Sequence, residues 1–310
     1  MRQIDISVVV VNYNTGELTK ECVKSLYRHI PGHVAFEVFI VDNASTDGSQ
    51  DTLRKLLEEH TDIQLIFSGK NSGFAGANNR AIARVRGRNT LLFNSDAYLI
   101  DDSITHALTW IDSHPEVFGC GCKLLNSDLS NGISYGHFPE LLSVVLEVCT
   151  FRPNYRRGVV PKADDDGVYP VNFVMGAFYL IRTVHLQSLG GLDETFFMYF
   201  EDVDLARRAK DWGLKTYYCG KTRVVHLAGS SSGKKTPDGA IARSLQAMFY
   251  QSWRHYLEKH CSSLEIRLIH TILLSDLLFR YWFAFIRYGA LGSSNWKTPC
   301  EVLAQGWAQK

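Results

Sequence analysis

Between residues 6 and 113, short β-branched or aromatic runs alternate with helix-compatible segments, and that alternation leaves few folds open. The runs lie at 6–11, 36–41, 63–67 and 90–93; the helix-compatible segments lie at 17–30, 49–60, 75–85 and 103–113. Strands separated in this way by helices form βα units, whose mostly parallel sheet is covered on both faces. The expected fold class is therefore α/β, and such open sheets bind ligands beyond the carboxyl ends of their strands.

Length and composition narrow the function classes. A chain of 310 residues, 45% of them apolar, can bury one large core or two modest ones, and a formal net charge of +1 gives no general pull toward nucleic acid. The cysteines at 22, 120, 122, 149, 219, 261 and 300 form no CxxC pair and no even framework. That argues against a zinc ribbon or a disulfide scaffold and fits reduced thiols in a cytoplasmic compartment. The opening "MRQIDISVVVVNYN" carries Asp5 before an apolar run too short for a signal peptide, and it reads as a buried strand.

From about 126 to 170 the pattern loosens into "NSDLSNGISYG" and "RRGVVPKADDDGVYP", which read as surface loops, with a lid or acceptor loop as one use for them. An ordered block follows at 171–226, and "GSSSGKKTPDG" then reads as a flexible basic loop. The most hydrophobic stretch is "LEIRLIHTILLSDLLFRYWFAFIRYG" at 264–289, interrupted by Arg267, His270, Asp276, Arg280 and Arg287. It lacks the roughly 20 uninterrupted apolar residues of a spanning helix. On a helical projection Glu265, Asp276, Arg280 and Arg287 fall within about 60°, leaving an apolar face with Trp282, Phe283 and Phe285. Such a helix suits a membrane surface and equally a core or a dimer interface.

One segment, "FMYFEDVDLARRA", crowds Glu201, Asp202 and Asp204 behind a run of aromatics. Carboxylates in a first helical turn are favoured by unpaired amides and the macrodipole. Glu201 and Asp204 stand seven and four residues before Arg208 and can pair with it, whereas Asp202 points about 100° away from Glu201. Asp202 is left without an obvious partner, a costly arrangement unless the group stays wet, binds a cation or serves as a base.

Four loops at strand ends share that polar character. "VVNYN" holds Asn12 and Asn14, and "VDNASTDGS" holds Asp42 and Asn43, where an acidic strand terminus suits a base or ribose and equally an Asx turn. "NSGFAGANNRAI" offers Asn71, Asn78 and Asn79 with Gly73 and Gly76 for close backbone approach. It is neither GxGxxG nor a P-loop, which weakens a nicotinamide or ATP reading. "LLFNSDAYL" places Asn94 and Asp96 two apart, on one side of an extended segment, as two ligands of one cation require.

Taken together, "VVNYN", "DNASTDGS", "NSGFAGANN", "NSDA", "GGLDETFFMYFEDVDLARRA" and "VVHLAGSS" resemble the family 2 glycosyltransferases of the GT-A fold, especially their rhamnosyltransferase-like branch, over about 6–232. The resemblance implies a GT-A, Rossmann-like, mostly parallel sheet flanked by helices, with a C-terminal helical extension. The implied domains are a glycosyltransferase domain at 1–235, with a nucleotide-binding half at about 1–125 and an acceptor-binding half at about 126–235, and a helical region at 236–310.

The implied activity is inverting transfer of a sugar, dTDP-L-rhamnose being the favoured donor and a UDP-sugar the alternative, to a saccharide or polyprenyl-linked saccharide in cell-surface polysaccharide synthesis. Asp42 would bind the nucleobase with Asn12, Asn14 and Asn43 nearby, and the loop holding Asn71, Gly73 and Asn78 would line the nucleotide. The family's DxD motif falls on Asn94, Ser95 and Asp96, with Asn94 replacing the first aspartate. Asp96 would then be the main carboxylate ligand of Mg²⁺ or Mn²⁺, and His226 either a further ligand or an ordinary histidine at a strand end. The "ED" motif makes Asp202 the general base and Glu201 an orienting residue, with Asp204 and Arg208 structural.

Gly176 and Ala177 would leave room for the acceptor, and Asp193 would touch it or hold a turn. The implied location is cytoplasmic, peripheral on the inner face of the cell membrane, with no nucleic-acid partner. A noncatalytic nucleotide-sugar binder and a Rossmann-type oxidoreductase are the rivals, the second lacking its glycine fingerprint.

Overall fold

The computed structural model describes residues 3–60, 62–150, 158–227 and 240–288. In chain order the elements are β1 (Ile6–Asn12), α1 (Gly16–His29), β2 (Phe36–Asp42), α2 (Ser49–Glu59), β3 (Ile63–Phe67), α3 (Gly73–Ile82), β4 (Asn89–Asn94), β5 (Ala97–Leu99) and α4 (Ile104–Asp112). They continue with β6 (Val117–Leu125), β7 (Tyr135–Gly136), α5 (Leu141–Thr150), β8 (Val168–Val171), β9 (Phe173–Val174), β10 (Phe178–Arg182), α6 (Thr183–Ser188), α7 (Glu201–Asp211), β11 (Lys215–His226), α8 (Ala240–His260) and α9 (Ser263–Tyr288). The four strand runs and four helices expected before residue 113 all form, because β-branched runs fit a sheet buried on both faces and caps and turns separate them.

The strands order as β3-β2-β1-β4-β10-β6-β11-β5, with β8 paired to β11, in one nine-stranded sheet. Strands β1, β2, β3, β4, β6 and β11 run one way, and β5, β8 and β10 run against them, so the sheet is mostly parallel as expected. Side chains alternate across it: Ile6, Val8 and Val10 join Leu26 and Leu53 in one apolar layer, while Val9 joins Ala77, Leu186 and Leu205 in the other. Each fully buried Leu, Ile or Val contributes about 1.5–3 kcal/mol, so slipping β1 by one residue would swap both layers at once.

The order 3-2-1-4 makes β1 the point where the sheet reverses direction of growth. A crevice therefore opens past the ends of β1 and β4, where Val11 faces Asn94 and Asn12 faces Asp42. Strand β10 enters antiparallel to β4, with Phe178 opposite Phe93, and this brings the chain immediately before it to the same crevice.

The chain divides into two compact units, Met1–His137 with Gly158–Lys234, and Phe138–Arg157 with Lys235–Lys310. In the second unit α5 packs on α9. The stretch at 126–170 is thus not loop throughout: "LLSVVLEVCT" forms α5, and β7 and β8 flank it. The polar residues of α5, Ser143, Glu147 and Thr150, share one face at helical spacing, within a stretch that its turn-rich flanks frame as loop. The basic segment "GSSSGKKTPDG", the end of "VVHLAGSS" and residues beyond 288 lie outside the described residues.

Candidate active site

At the end of β1 and β2 a dense hydrogen-bond network shapes the crevice. Asp42 is fully buried and accepts from Asn12 Nδ2 (2.8 Å), the Ser45 amide (3.2 Å) and Gln50 Nε2 (2.9 Å). Asn12 is also fully buried, and its Oδ1 accepts from Thr15 Oγ1 (3.1 Å) and Thr19 Oγ1 (2.8 Å). Asn14, at φ 56°, accepts from the Thr46 amide at 2.8 Å. Asp42 and Asn12 therefore spend their polar atoms on holding two loops in register, and the exposed Asn14 is the part of this group that faces outward.

The third loop is stitched to the second and to the entry of α7. Asn43 donates to Asn71 Oδ1 (2.8 Å) and to the Gly73 carbonyl (3.1 Å), and Asn71 Oδ1 caps the Gly73 amide (2.9 Å). Gly73 sits at φ +73°, and a Cβ there would meet the Phe197 carbonyl oxygen at 2.3 Å, so no other residue fits without moving that loop. The next amide, Phe74, donates to the same carbonyl at 2.8 Å. Asn78 is buried and returns its amide to Phe74 O (2.9 Å) inside α3, so it props the helix rather than lining the crevice. Asn79 instead grips Leu192 O (2.8 Å) and Glu194 Oε1 (3.0 Å).

Asn94, Asp96 and His226 converge between β4 and β11. His226 Nε2 lies 3.3 Å from Asp96 Oδ1 and 3.4 Å from Asn94 Nδ2. Ser95 Oγ is 3.2 Å from Thr15 Oγ1, which ties this turn to the end of β1. Asn94 Oδ1 is buried and has no hydrogen-bond partner among the described residues. An imidazole nitrogen, a carboxylate oxygen and an unsatisfied amide oxygen in one place form a donor set that fits Mn²⁺ or Mg²⁺. Among the described residues no three His, Cys, Asp or Glu side chains gather, because an asparagine supplies the third group.

The three carboxylates of α7 have three environments. Asp204 is fully buried and bound by Arg208 Nε at 2.7 Å, while the rest of that guanidinium donates to the Leu189 and Gly191 carbonyls, both at 2.8 Å. Glu201 therefore does not pair with Arg208; it is buried, and its Oε2 has no hydrogen-bond partner among the described residues. Asp202 is half-buried and has the partners that its sequence spacing hid: Oδ2 accepts from the Gly176 amide and Oδ1 from the Val203 amide, both at 2.8 Å.

Burial, then the charge of Asp202, pushes the Glu201 carboxyl up to about 8. Burial also raises Asp202, opposed by its amide donors. Those donors favour the anion, so Asp202 is the member of the pair that ionises first and Glu201 holds the proton near neutrality.

Backbone geometry sets this arrangement. Tyr199 and Phe200 lie at φ 70° and 69°, consecutive left-handed conformations in bulky residues, each costing about 1–3 kcal/mol. The turn they make launches α7 so that Asp202 meets Gly176. A Cβ on Gly176 would come within 3.3 Å of Asp202 Oδ2, and the following carbonyl, Ala177 O, accepts from the Asn94 amide at 3.2 Å. Gly176 and Ala177 thus bridge the carboxylate pair and the Asn94-Asp96-His226 group. Asp193 closes an Asx turn onto the Thr195 amide (2.9 Å) and hydroxyl (2.6 Å).

Sequence reasoning passed over Tyr13, 42% exposed at the end of β1; an aromatic standing between two asparagines was the signal for it.

A sheet of this order, with polar loops at its reversal point and acidic groups from β4 and α7 around one crevice, defines a GT-A glycosyltransferase fold. The structure matches the mannosyltransferase PcManGT from Pyrobaculum calidifontis in complex with GDP-Man and Mn²⁺ at a TM-score of 0.60, with 19% identity over 99% of this chain and 81% of that one. It matches GalNAc-T7 with UDP, GalNAc and Mn²⁺ at 0.60, with 12% identity over 83% and 48% of the two chains. The family description Glycosyl transferase family 2 matches residues 7–172, more than half of the chain, and the protein belongs to that family. It is 25% identical over 81% of its length to the N-acetylglucosaminyl-diphospho-decaprenol L-rhamnosyltransferase of Mycobacterium tuberculosis, covering 85% of that protein. It is 22% identical over 72% of its length to the rhamnosyltransferase WbbL of Escherichia coli K12, covering 83% of it. The resemblance to the rhamnosyltransferase-like branch is supported.

Proposed function

We propose that the protein is an inverting glycosyltransferase that moves L-rhamnose from dTDP-L-rhamnose to a saccharide or lipid-linked saccharide in cell-surface polysaccharide synthesis, with a UDP-sugar as the second donor candidate. The observation that carries the reading is Asp202, an ionisable carboxylate fixed by two backbone amides and joined through Gly176 and Ala177 to Asn94. The names of the two rhamnosyltransferase relatives support the choice of sugar, and that of the Mycobacterium tuberculosis relative supports a lipid-linked acceptor.

Asp202 takes the proton of the acceptor hydroxyl as that oxygen attacks the anomeric carbon, on the face opposite the departing nucleoside diphosphate. Attack from that face inverts the anomeric configuration. Glu201, protonated beside it, adds no second negative charge against the incoming oxygen. Asp96, His226 and Asn94 would hold the divalent cation, which when bound offsets charge developing on the leaving diphosphate. Asn14 and the exposed ring of Tyr13 offer the nucleotide a polar contact and a stacking face, while Asp42, Asn12 and Asn43 fix the loops beneath it.

Helix α9 supports the proposed location. Leu264, Leu268, Leu278, Phe279 and Trp282 are 41–66% exposed and fall within about 100° on that helix, a stripe suited to lying in a membrane surface. Among the described residues no helix is long and apolar enough to cross a membrane. A peripheral position on the inner membrane face would bring the protein to a lipid-linked acceptor.

The deciding experiment is a thermal-shift panel of dTDP, UDP and GDP, each with and without Mn²⁺. Stabilisation by dTDP that requires the metal is expected. Stabilisation by UDP or GDP alone overturns the donor assignment, and no shift with any of the three overturns the transferase reading.

A further inference from the structure

Three strands of the nine-stranded sheet, β3, β5 and β8, pair on one side only, and they are not built alike. Strand β5 has three residues, and β8 carries Pro170, which has no amide to donate. Short edges and proline both discourage pairing with another chain. Strand β3, "IQLIF", has five residues with no charge, no proline and no bulge in its pairing with β2. Among the described residues β2 is its only strand partner.

One bond fixes the direction of its backbone groups. The Ser68 amide donates to the Asp42 carbonyl at 2.8 Å, so Ser68 faces β2. Backbone groups alternate from side to side along a strand, so Gln64 and Ile66 also face β2, while Ile63, Leu65 and Phe67 point theirs away from the sheet. Of these the Ile63 amide makes a long bond, 3.4 Å, to the His60 carbonyl. Leu65 is half-buried and Phe67 is 39% exposed, so the outer edge sets backbone donors and acceptors beside apolar side chains. Gln64 turns its amide back to Glu37 Oε2 at 3.4 Å.

The edge is complementary to itself. A two-fold axis through Leu65 pairs Leu65 with the second copy's Leu65 and Ile63 with the second copy's Phe67, each pair exchanging its outward backbone bonds. Gln64 then stands opposite the second copy's Ile66. The charges at the two ends also match. Arg54 lies over the Phe67 ring at 4.6 Å, and Lys70 is exposed just beyond it. Helix α2 leads back to the start of β3, where Glu58 and Asp62 are exposed. The same axis sets each basic end against the acidic end of the other copy.

We propose that the outer edge of β3 binds a second copy of this chain by antiparallel β3–β3 pairing about an axis through Leu65, joining two sheets into one continuous sheet.

Sedimentation velocity of the full chain, from about one to several hundred micromolar, tests it; so small an interface should give a dimer that forms reversibly within that range. L65K and L65E each put like charges opposite one another on the axis, and each should self-associate at least tenfold more weakly. Mixing L65K with L65E should restore the dimer, as only a pairing of residue 65 with itself predicts. Circular dichroism checks that each variant is folded. Should L65K not fold, F67K, at an exposed position, should weaken association likewise by setting an ammonium against the second copy's Ile63. A wild type that stays monomeric throughout overturns the inference, as does a dimer that survives in folded L65K or F67K. A dimer lost in Leu278→Glu and kept in L65K would lie on α9 instead. A mixture of L65K and L65E that stays monomeric overturns the axis through Leu65.

Discussion

The loops at the ends of β1, β2 and β3 and the entry to α7 face one crevice but are built on opposite terms. In the loops, Asn12, Asp42, Asn43 and Asn71 bond to one another and to neighbouring amides and hydroxyls, with Asp42 and Asn12 wholly enclosed. At α7, two bulky residues sit at positive φ, one carboxyl oxygen is buried with no partner, and two acids are raised above their ordinary range. The first region is pinned largely by its own polar pairs, although Asn14 and Ala44 also sit at positive φ and Ser68 Oγ finds no partner among the described residues. The second holds strain and an unmet charge balance, which is what proton transfer uses.

The hardest test of that contrast is Asp202→Asn. It should cut kcat by about 10²–10⁴, the range for losing a general base, while the nucleotide-dependent rise in melting temperature is retained. Full activity in the variant would remove Asp202 from the chemistry and erase the distinction.

Next in size is Asp42→Ala. It strands the Asn12, Gln50 and Ser45 donors in a buried place and should cost about 1–3 kcal/mol in denaturant unfolding, with weaker nucleotide binding besides. A variant of unchanged stability that only loses nucleotide affinity would mean Asp42 is a contact and not a brace.

Glu201→Gln acts on stability with the opposite sign. A carboxyl raised from 4.5 to about 8 on folding contributes stability fully below pH 4.5, and that contribution is lost as pH climbs toward 8. Glutamine cannot ionise, so the variant should match the wild type near pH 4 and melt a few degrees higher by pH 8–9. A wild-type advantage at pH 8–9 would mean the buried carboxylate has a partner that offsets its burial.

The same contrast explains what could be read in the sequence. The alternation of β-branched runs and helix-compatible segments disclosed the elements from β1 through α4 except the short β5, since each carries its own periodicity. The ordered polar motifs pointed to the crevice, because side chains at strand ends need only the strands to be placed. Helix α5 escaped, although Ser143, Glu147 and Thr150 recur at helical spacing, because the turn-rich stretches on both sides framed it as loop. The partner of Asp202 escaped for another reason: Gly176 offers a backbone amide, which every residue but proline has, from 26 positions away. Helical spacing likewise offered Arg208 to both Glu201 and Asp204, but the Leu189 and Gly191 carbonyls occupy the remaining guanidinium donors. Left-handed turns at Tyr199 and Phe200 run against every local preference of aromatic residues.

The Phe74 amide holds the Phe197 carbonyl and Gly73 lets that carbonyl come close, so the loop that opens α3 and the loop leading into the carboxylates are clasped to each other. Neither can shift without dragging its neighbour. Under the proposed function, a donor that shifted the first loop would shift the second, and any coupling that results would act equally on the acceptor. The clasp depends on one glycine without a side chain.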